Sequence, residues 1–343
     1  MTSTIDAIRG RIVESSHRVS AAVVDAAGKL VASTGDPDLV TYWRSCAKPI
    51  QVLPLIEDGG ADALGIDDAE IVLACASHNG EPRHLEVAAS LLRKAGCSEA
   101  DLACGPHPSL SPVFARQMAE RGEKPRSIHS NCSGKHAAML ALARFHGWPG
   151  KGYRLPEHPV QQRLLKEVAA WTGVSEARVG QGTDGCGVVS YALPLRNMAL
   201  AYARLGVGFR VSGVAGETPD TLHPTPYTPS ERVIRAIVAD PFLIAGTGRL
   251  CTEVIASSGG AVVAKVGADG VYSAAIPGAR LGLAMKVEDG DMDAARPALL
   301  AFLDLLAPGV VHVADSFRTP GIRNTLGEEV GRLVARVSLE TAR

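Results

Sequence analysis

The sequence predicts an α+β fold: strands from both ends of the chain form one mainly antiparallel sheet, and helices fill the middle. Three observations lead there. Apolar runs punctuated by turn residues lie near each terminus. Stripes of helical period occupy the centre. Too few strands separate those helices for alternating βαβ units.

Taken in order, Arg11–Val19 and Ala21–Asp25 read as strands, Ala26–Gly28 as a hairpin turn and Lys29–Ser33 as the returning strand. Pro82–Ala95 carries Leu85, Val87, Ala88, Leu91 and Leu92 on one helical stripe. Lys135–Phe145 is apolar on much of its surface and stops before Gly147. His158–Trp171 repeats the pattern through Val160, Leu164, Leu165, Val168 and Ala169. Tyr191–Leu205, Ser230–Val238 and Asp293–Leu306 are further predicted helices, bounded by Gly206, by a capping serine and by Pro308. The segment Gly216–Pro229, with four prolines, is a predicted loop. Gly260–Val266, Gly270–Ile276 and Leu281–Val287 form a meander, divided at Gly267–Asp269 and Pro277-Gly278. Residues 1–343 are read as a single catalytic domain, with a helical part over 45–250 and a sheet part from 10–35 and 255–340.

Composition narrows the function. Hydrophobic residues make up 46% of the 343 residues and charged ones 21%, enough for a sizeable core. Lys+Arg number 35 and Asp+Glu 36, so no electrostatic case exists for nucleic acid or an anionic membrane. Aromatics at 4% leave little for base stacking. The opening MTSTIDAIRGRIVESSHR has no apolar core of an export signal, and no run approaches the ~18 apolar residues of a membrane helix. The seven cysteines are therefore expected to be reduced, in a cytoplasmic protein.

Two constellations carry chemistry. Ser45-Cys46-Ala47-Lys48 is S-x-x-K, Ser77-His78-Asn79 is S-x-N, and Lys265-Val266-Gly267 is K-x-G at the end of a predicted strand. Penicillin-recognising enzymes use such motifs in this order. A serine hydroxyl needs a base to become a nucleophile. Residues three apart on a helical turn share a face, so Lys48 can serve Ser45. A second cation, Lys265, favours the neutral amine that a base requires, and Ser77 can relay a proton to the leaving group. Pro49 and Pro54 place the Ser–Lys turn at a helix start, with a kink after it.

The other constellation is His129-Ser130-Asn131-Cys132-Ser133-Gly134-Lys135-His136, which opens a predicted helix that Asn131 or Ser133 can cap. Cys132 near a helix N-terminus favours a thiolate. Gly182-Thr183-Asp184-Gly185-Cys186-Gly187 forms a second polar turn. Three readings stay open: two buried structural cysteines, a metal site built from Cys132, Cys186 and a third group, or a cysteine hydrolase with His136 as base.

Together, Trp43–Pro49, Ala76–Glu81, His129–His136, Asp184–Gly187 and Ala245–Arg249 resemble the asparaginase II family, the Rhizobium-type or class 3 L-asparaginases. The resemblance implies a fold akin to serine β-lactamases and penicillin-binding proteins, and hydrolysis of L-asparagine to L-aspartate and ammonia. It implies Ser45 as nucleophile with Lys48 as its base, and Ser77 with Lys265 as a second Ser–Lys pair. It also implies zinc held by Cys132, Lys135, Cys186 and water, substrate contacts from Arg44, Asp184 and His136, and a homodimer. A lysine ligand must lose its proton to bind metal. Cys46 and His78 sit at variable motif positions without an assigned duty. A glutaminase or penicillin-recognising serine amidohydrolase is the alternative, and a non-catalytic zinc-dependent binding protein the further one.

Overall fold

The computed structural model describes residues 2–208 and 227–342. Most of the predicted loop Gly216–Pro229 lies outside them. The strands, in chain order, are β1 (Ser3–Arg9), β2 (Ile12–Asp25), β3 (Leu30–Thr34), β4 (Val40–Tyr42), β5 (Gly180–Thr183), β6 (Val189–Pro194), β7 (Val263–Val266), β8 (Val271–Ile276), β9 (Leu281–Val287), β10 (Gly321–Arg323), β11 (Glu329–Arg336) and β12 (Glu340–Thr341). The chain divides into two compact units.

The first unit comprises Met1–Cys46, Leu193–Val207 and Glu253–Arg343. Among the described residues its sheet has nine strands in the order β10-β11-β1-β2-β9-β8-β7, with β3 also on β2 and β12 on β3. The ladders are antiparallel, with Val19 opposite Val287 and Lys265 opposite Ser273. Both ends of the sequence thus meet in one α+β sheet, as the strand positions predict. The two expected strands Arg11–Val19 and Ala21–Asp25 are one. β2 pairs with β1 along its exposed first half and with β3 and β9 along its buried second half. The run Ser20-Ala21-Ala22-Val23-Val24 is apolar or small throughout, which suits a strand buried on both faces. The helix Leu195–Gly206 packs on β9, β2 and β8, and Met292–Leu306 on β9, β11 and β1. Contact with β9 is close: a Cβ at Gly282 would lie 1.9 Å from Ala199 O. The predicted helix Tyr191–Leu205 is corrected at its start. Tyr191 to Leu193 belong to β6, and the helix begins after the extended Pro194.

The second unit comprises Ala47–Ala192 and Gly208–Thr252. At its centre is the helix Ser133–Phe145, buried from Ser133 to Ala143. Helices Asp68–Cys75, Pro82–Lys94 and Pro159–Thr172 pack around it. A helix apolar on every side has to be enclosed in this way. Asp67 with Glu70, and Thr228 with Glu231, form capping boxes that start two helices of this unit, Asp68–Cys75 and Pro229–Ala239. The β5–β6 hairpin pairs Gly182 with Ser190 and carries a loop at residues 184–188 in which only Gly185 is exposed.

Two histidines of this unit are buried without charge. His78 and His84 stack at 5.0 Å, and His84 stacks on Phe242 at 4.7 Å. Burial holds His78 well below the usual imidazole range and brings His84 down to about 4. The unfolded chain binds these protons from about pH 6.5 downward and the folded one does not, so stability present at neutral pH is lost as pH falls towards 4. Urea unfolding is expected to weaken by about 2 kcal/mol from His84 alone between pH 7 and 5. A flat profile over that range contradicts the neutral stack.

Candidate active site

The S-x-x-K motif begins in strain. Arg44 has φ 53°, in the left-handed region that costs a non-glycine residue ~1–3 kcal/mol. Ser45 follows in the 3₁₀ turn Arg44–Ala47 and is half-buried. Arg44 forms an ion pair with Asp269, itself at φ 55°. Trp43 is fully buried, donates from Nε1 to Ser273 Oγ at 3.0 Å and meets Tyr202 edge-on. Cys46 has a structural part that its motif position does not announce: Sγ donates to Lys265 O at 3.0 Å, and Tyr202 OH donates to Cys46 O at 2.8 Å. The Ser45 turn is thereby tied to strand β7. Lys265 is 1% exposed on that strand, and its Nζ donates to Val266 O.

Lys48 starts the short helix Lys48–Gln51, and a second short helix runs Leu53–Glu57. Pro49 and Pro54 each occupy the first turn of one of them, where a missing N–H costs nothing. The expected kink is thus the break between the two. Lys48 is completely buried. Its Nζ faces Ala76 O, Ser77 Oγ at 3.0 Å and Asn131 O at 3.5 Å. Of these three neighbours only the Ser77 hydroxyl both accepts and donates. It can serve an ammonium as acceptor and a neutral amine as donor, the property a proton relay needs. Ser77 and Asn79 are held by backbone bonds to Ile244 O and Ala245 O. Asn79 Oδ1 takes a bond from Arg249, and its amide donates to Glu81 and Thr247 O.

The second constellation closes around two sulfurs. Cys132 is the N-cap of Ser133–Phe145, without a side-chain cap bond, so neither Asn131 nor Ser133 caps that helix as expected. Lys135 Nζ lies 3.1 Å from Cys186 Sγ and 3.9 Å from Asp184 Oδ2. Asp184 and Cys186 come from the β5–β6 loop, which Asp184 N and Gly187 N close at 2.8 Å each. The hydrogen bond from Cys132 and the Lys135 charge lower the Cys186 thiol to about 5, against burial. The same hydrogen bond, with burial, pushes Cys132 up to about 12. Burial opposes the charge on Lys135, but Cys186, Cys132 and Asp184 hold it protonated. The directions of the two shifts favour thiolate character at Cys186 over Cys132. His136 Nδ1 meets Tyr153 OH at 2.6 Å. Burial, then Lys135, brings His136 down to about 3, and its buried Nε2 has no hydrogen-bond partner among the described residues.

Zinc suits this donor set. Two sulfurs and an amine, with a carboxylate beside them, match its ligand chemistry once thiols and amine are deprotonated. Among the described residues no group of three or more His, Cys, Asp and Glu is placed to hold a metal; here the donor beside the two sulfurs would be the Lys135 amine. Gly134 lets the set form. A Cβ there would lie 2.2 Å from Leu73 O. Gly134→Ala is expected to cost about 3 kcal/mol in urea unfolding, since backbone would have to move. Unchanged unfolding would contradict the packing described.

The model of the L-asparaginase II family matches residues 5–335. The chain belongs to the L-asparaginase II family. It is a hydrolase that acts on amides. A search of curated proteins gives no match. Among solved structures, this asparaginase II family member is similar to a β-lactamase from Mycobacterium bovis, at 15% identity over 84% of this chain and 94% of that one, TM-score 0.42. It is also similar to Mglu in its native form, at 15% identity over 87% and 62%, TM-score 0.39. A third is the simvastatin synthase LovD from Aspergillus terreus, at 13% identity over 81% and 90%, TM-score 0.36.

In this family member, Lys48 and Ser77 are brought together, as are Cys132, Lys135, Cys186 and Asp184. Ser45, Arg44 and Lys265 belong to the first unit, and Lys48, Ser77 and the cysteine group to the second. The Asn131 carbonyl and Tyr153 are part of the site and were not legible as such. Backbone groups leave no mark on a sequence, and Tyr153 lies in a Gly-rich turn without a motif.

Proposed function

We propose that this protein is an L-asparaginase that hydrolyses L-asparagine to L-aspartate and ammonia through an ester on Ser45. One observation carries the reading most: in an asparaginase II family chain, the buried Lys48 amine hydrogen-bonds the Ser77 hydroxyl, three residues beyond the strained Ser45 turn. Ser45 Oγ attacks the side-chain amide carbon of asparagine, and Lys48, as the neutral amine, takes the serine proton. Ser77 relays it to the departing nitrogen, which leaves as ammonia. Water then attacks the β-aspartyl ester, giving its proton back through the same pair, and Ser45 is restored. The backbone N–H of Ser45 would donate to the developing oxyanion, a role worth ~3–4 kcal/mol per donor.

Cys132, Lys135 and Cys186 would hold zinc, which as a Lewis acid would anchor polar groups of the substrate next to Asp184. Asp184 suits the α-ammonium of asparagine, and His136 Nε2 a further polar contact. Arg44 suits the α-carboxylate on exchange from Asp269. The homodimer implied by the resemblance and a cytoplasmic location are part of the same proposal. Among the described residues no helix is long and apolar enough to cross a membrane.

L-Glutamine is one methylene longer, a difference worth ~1–3 kcal/mol in a fitted pocket. The test is ammonia release by zinc-replete protein from each amide. Turnover of asparagine ahead of glutamine supports the reading. Glutamine preference moves it to the glutaminase alternative, and no release from asparagine sinks it.

A further inference from the structure

The segment between Leu102 and the helix Pro112–Glu120 runs over the second unit with several exposed residues. Three of its side chains turn inward and bind backbone of the two catalytic loops. Cys104 Sγ donates to Ser127 O at 3.6 Å, Ser109 Oγ donates to Asn79 O, and His107 Nε2 meets Asn131 N–H at 2.8 Å. The His107 contact has a defined polarity. Its Nδ1 lies 2.7 Å from Pro108 O, a group that only accepts, so Nδ1 carries the hydrogen and Nε2 offers a lone pair to Asn131. On its other side Asn131 is held by its carbonyl, which accepts from His78 N–H at 3.3 Å and Lys48 Nζ at 3.5 Å.

We propose that His107 is a positioning residue for the asparaginase reaction: by accepting the Asn131 N–H it fixes the Asn131 carbonyl against Lys48, and so aims the Lys48 amine at Ser77. This rests on the reading of Lys48 as the base. Lys48 has a long, flexible stem, and its direction is set by the acceptors around Nζ. Two of the three are backbone carbonyls, one in the strand-like Ala76–Asn79 segment and the other in the turn before Cys132. The first is fixed by bonds of Ser77 and Asn79 to Ile244 and Ala245. The turn has Ser133 N bonded to Ser130 O inside it and His107 bonded from outside. Loss of the outside bond lets Asn131 rotate, and Lys48 follows its carbonyl.

The test compares His107→Ala, His107→Asn and His107→Gln with wild type, using kcat and KM for L-asparagine. Alanine offers no acceptor and asparagine is too short to reach, so both are expected to lower kcat by about ten- to a hundredfold, with KM near that of wild type. Glutamine reaches Asn131 N–H with its side-chain oxygen and is expected to restore most of the rate at equal thermal stability. A wild-type kcat in the folded Ala and Asn variants overturns the role, as does a Gln variant no better than they are. If the Ala variant does not fold, the Asn–Gln pair makes the comparison. Hydrogen exchange on the unsubstituted protein is a second measurement: slow exchange at the Asn131 amide is expected, and exchange at the rate of an open loop overturns the contact. A wild type that turns over no asparagine fails the functional reading first and this role with it, whereas failure confined to the variants fails this role alone.

Discussion

Ser45→Ala is expected to fold like wild type and to release ammonia from L-asparagine about 10⁴-fold more slowly or worse, the scale seen when a serine nucleophile is removed. The stability half follows from the place of Ser45, half-buried in a short 3₁₀ turn. The turn is shaped by Arg44 backbone strain, the Arg44–Asp269 pair and the bonds of Cys46 to Lys265 O and Tyr202. None of these uses the serine hydroxyl. The activity half follows from chemistry. Without Oγ no ester forms, and what remains is water attacking an amide in a polar pocket. Near-wild-type melting with turnover above about one per cent of wild type would contradict the nucleophile assignment, since it exceeds residual catalysis of that kind.

Lys48→Met is the second large effect. Methionine keeps the length of the buried stem and removes the amine. Turnover is expected to fall about 10²–10⁴-fold, the range of a lost general base. Ala76 O loses the Nζ partner, while Asn131 O keeps the His78 N–H, so unfolding free energy should fall by about 1–3 kcal/mol. Lys48→Arg separates two roles. Guanidinium keeps the positive charge but cannot give up its proton. An inactive, folded Arg variant is expected for a base. An Arg variant with most of the wild-type rate would make Lys48 an electrostatic anchor and move the proton transfer elsewhere, with Lys265 next in line.

What the sequence revealed depends on how local the physics is. The meander β7–β8–β9 is bounded by its own turn residues, and β8 and β9 begin and end within one residue of the positions those turns set. Pro49 and Pro54 mark the short helices after Ser45 for the same reason: a missing N–H acts within one turn. Tyr191 and Ala192 carry a helix-compatible apolar pattern, yet pair with β5, which no local rule discloses. β1 pairs with β11 across the whole chain length, again a non-local fact. At the site, residue types were legible and charge states were not. Helix position favours a thiolate at Cys132, but Lys135 lies beside Cys186, whose thiol is lowered while that of Cys132 is raised. Cys46 and His107 act through backbone carbonyls and amides, which carry no sequence signal. Lys48 and Ser77 were legible as motif members, while the Asn131 carbonyl that helps aim Lys48 was not.

The central claim is an ester between Ser45 and the substrate side chain, and nucleophile partitioning tests it most directly. Wild-type protein turns over L-asparagine in the presence of hydroxylamine, and ammonia, aspartate and β-aspartohydroxamate are measured together. An ester on Ser45 predicts hydroxamate formed at the expense of aspartate, rising with hydroxylamine, and absent with Ser45→Ala. Aspartate as the sole product at an undiminished ammonia rate would mean that water attacks the amide directly, and would contradict the account.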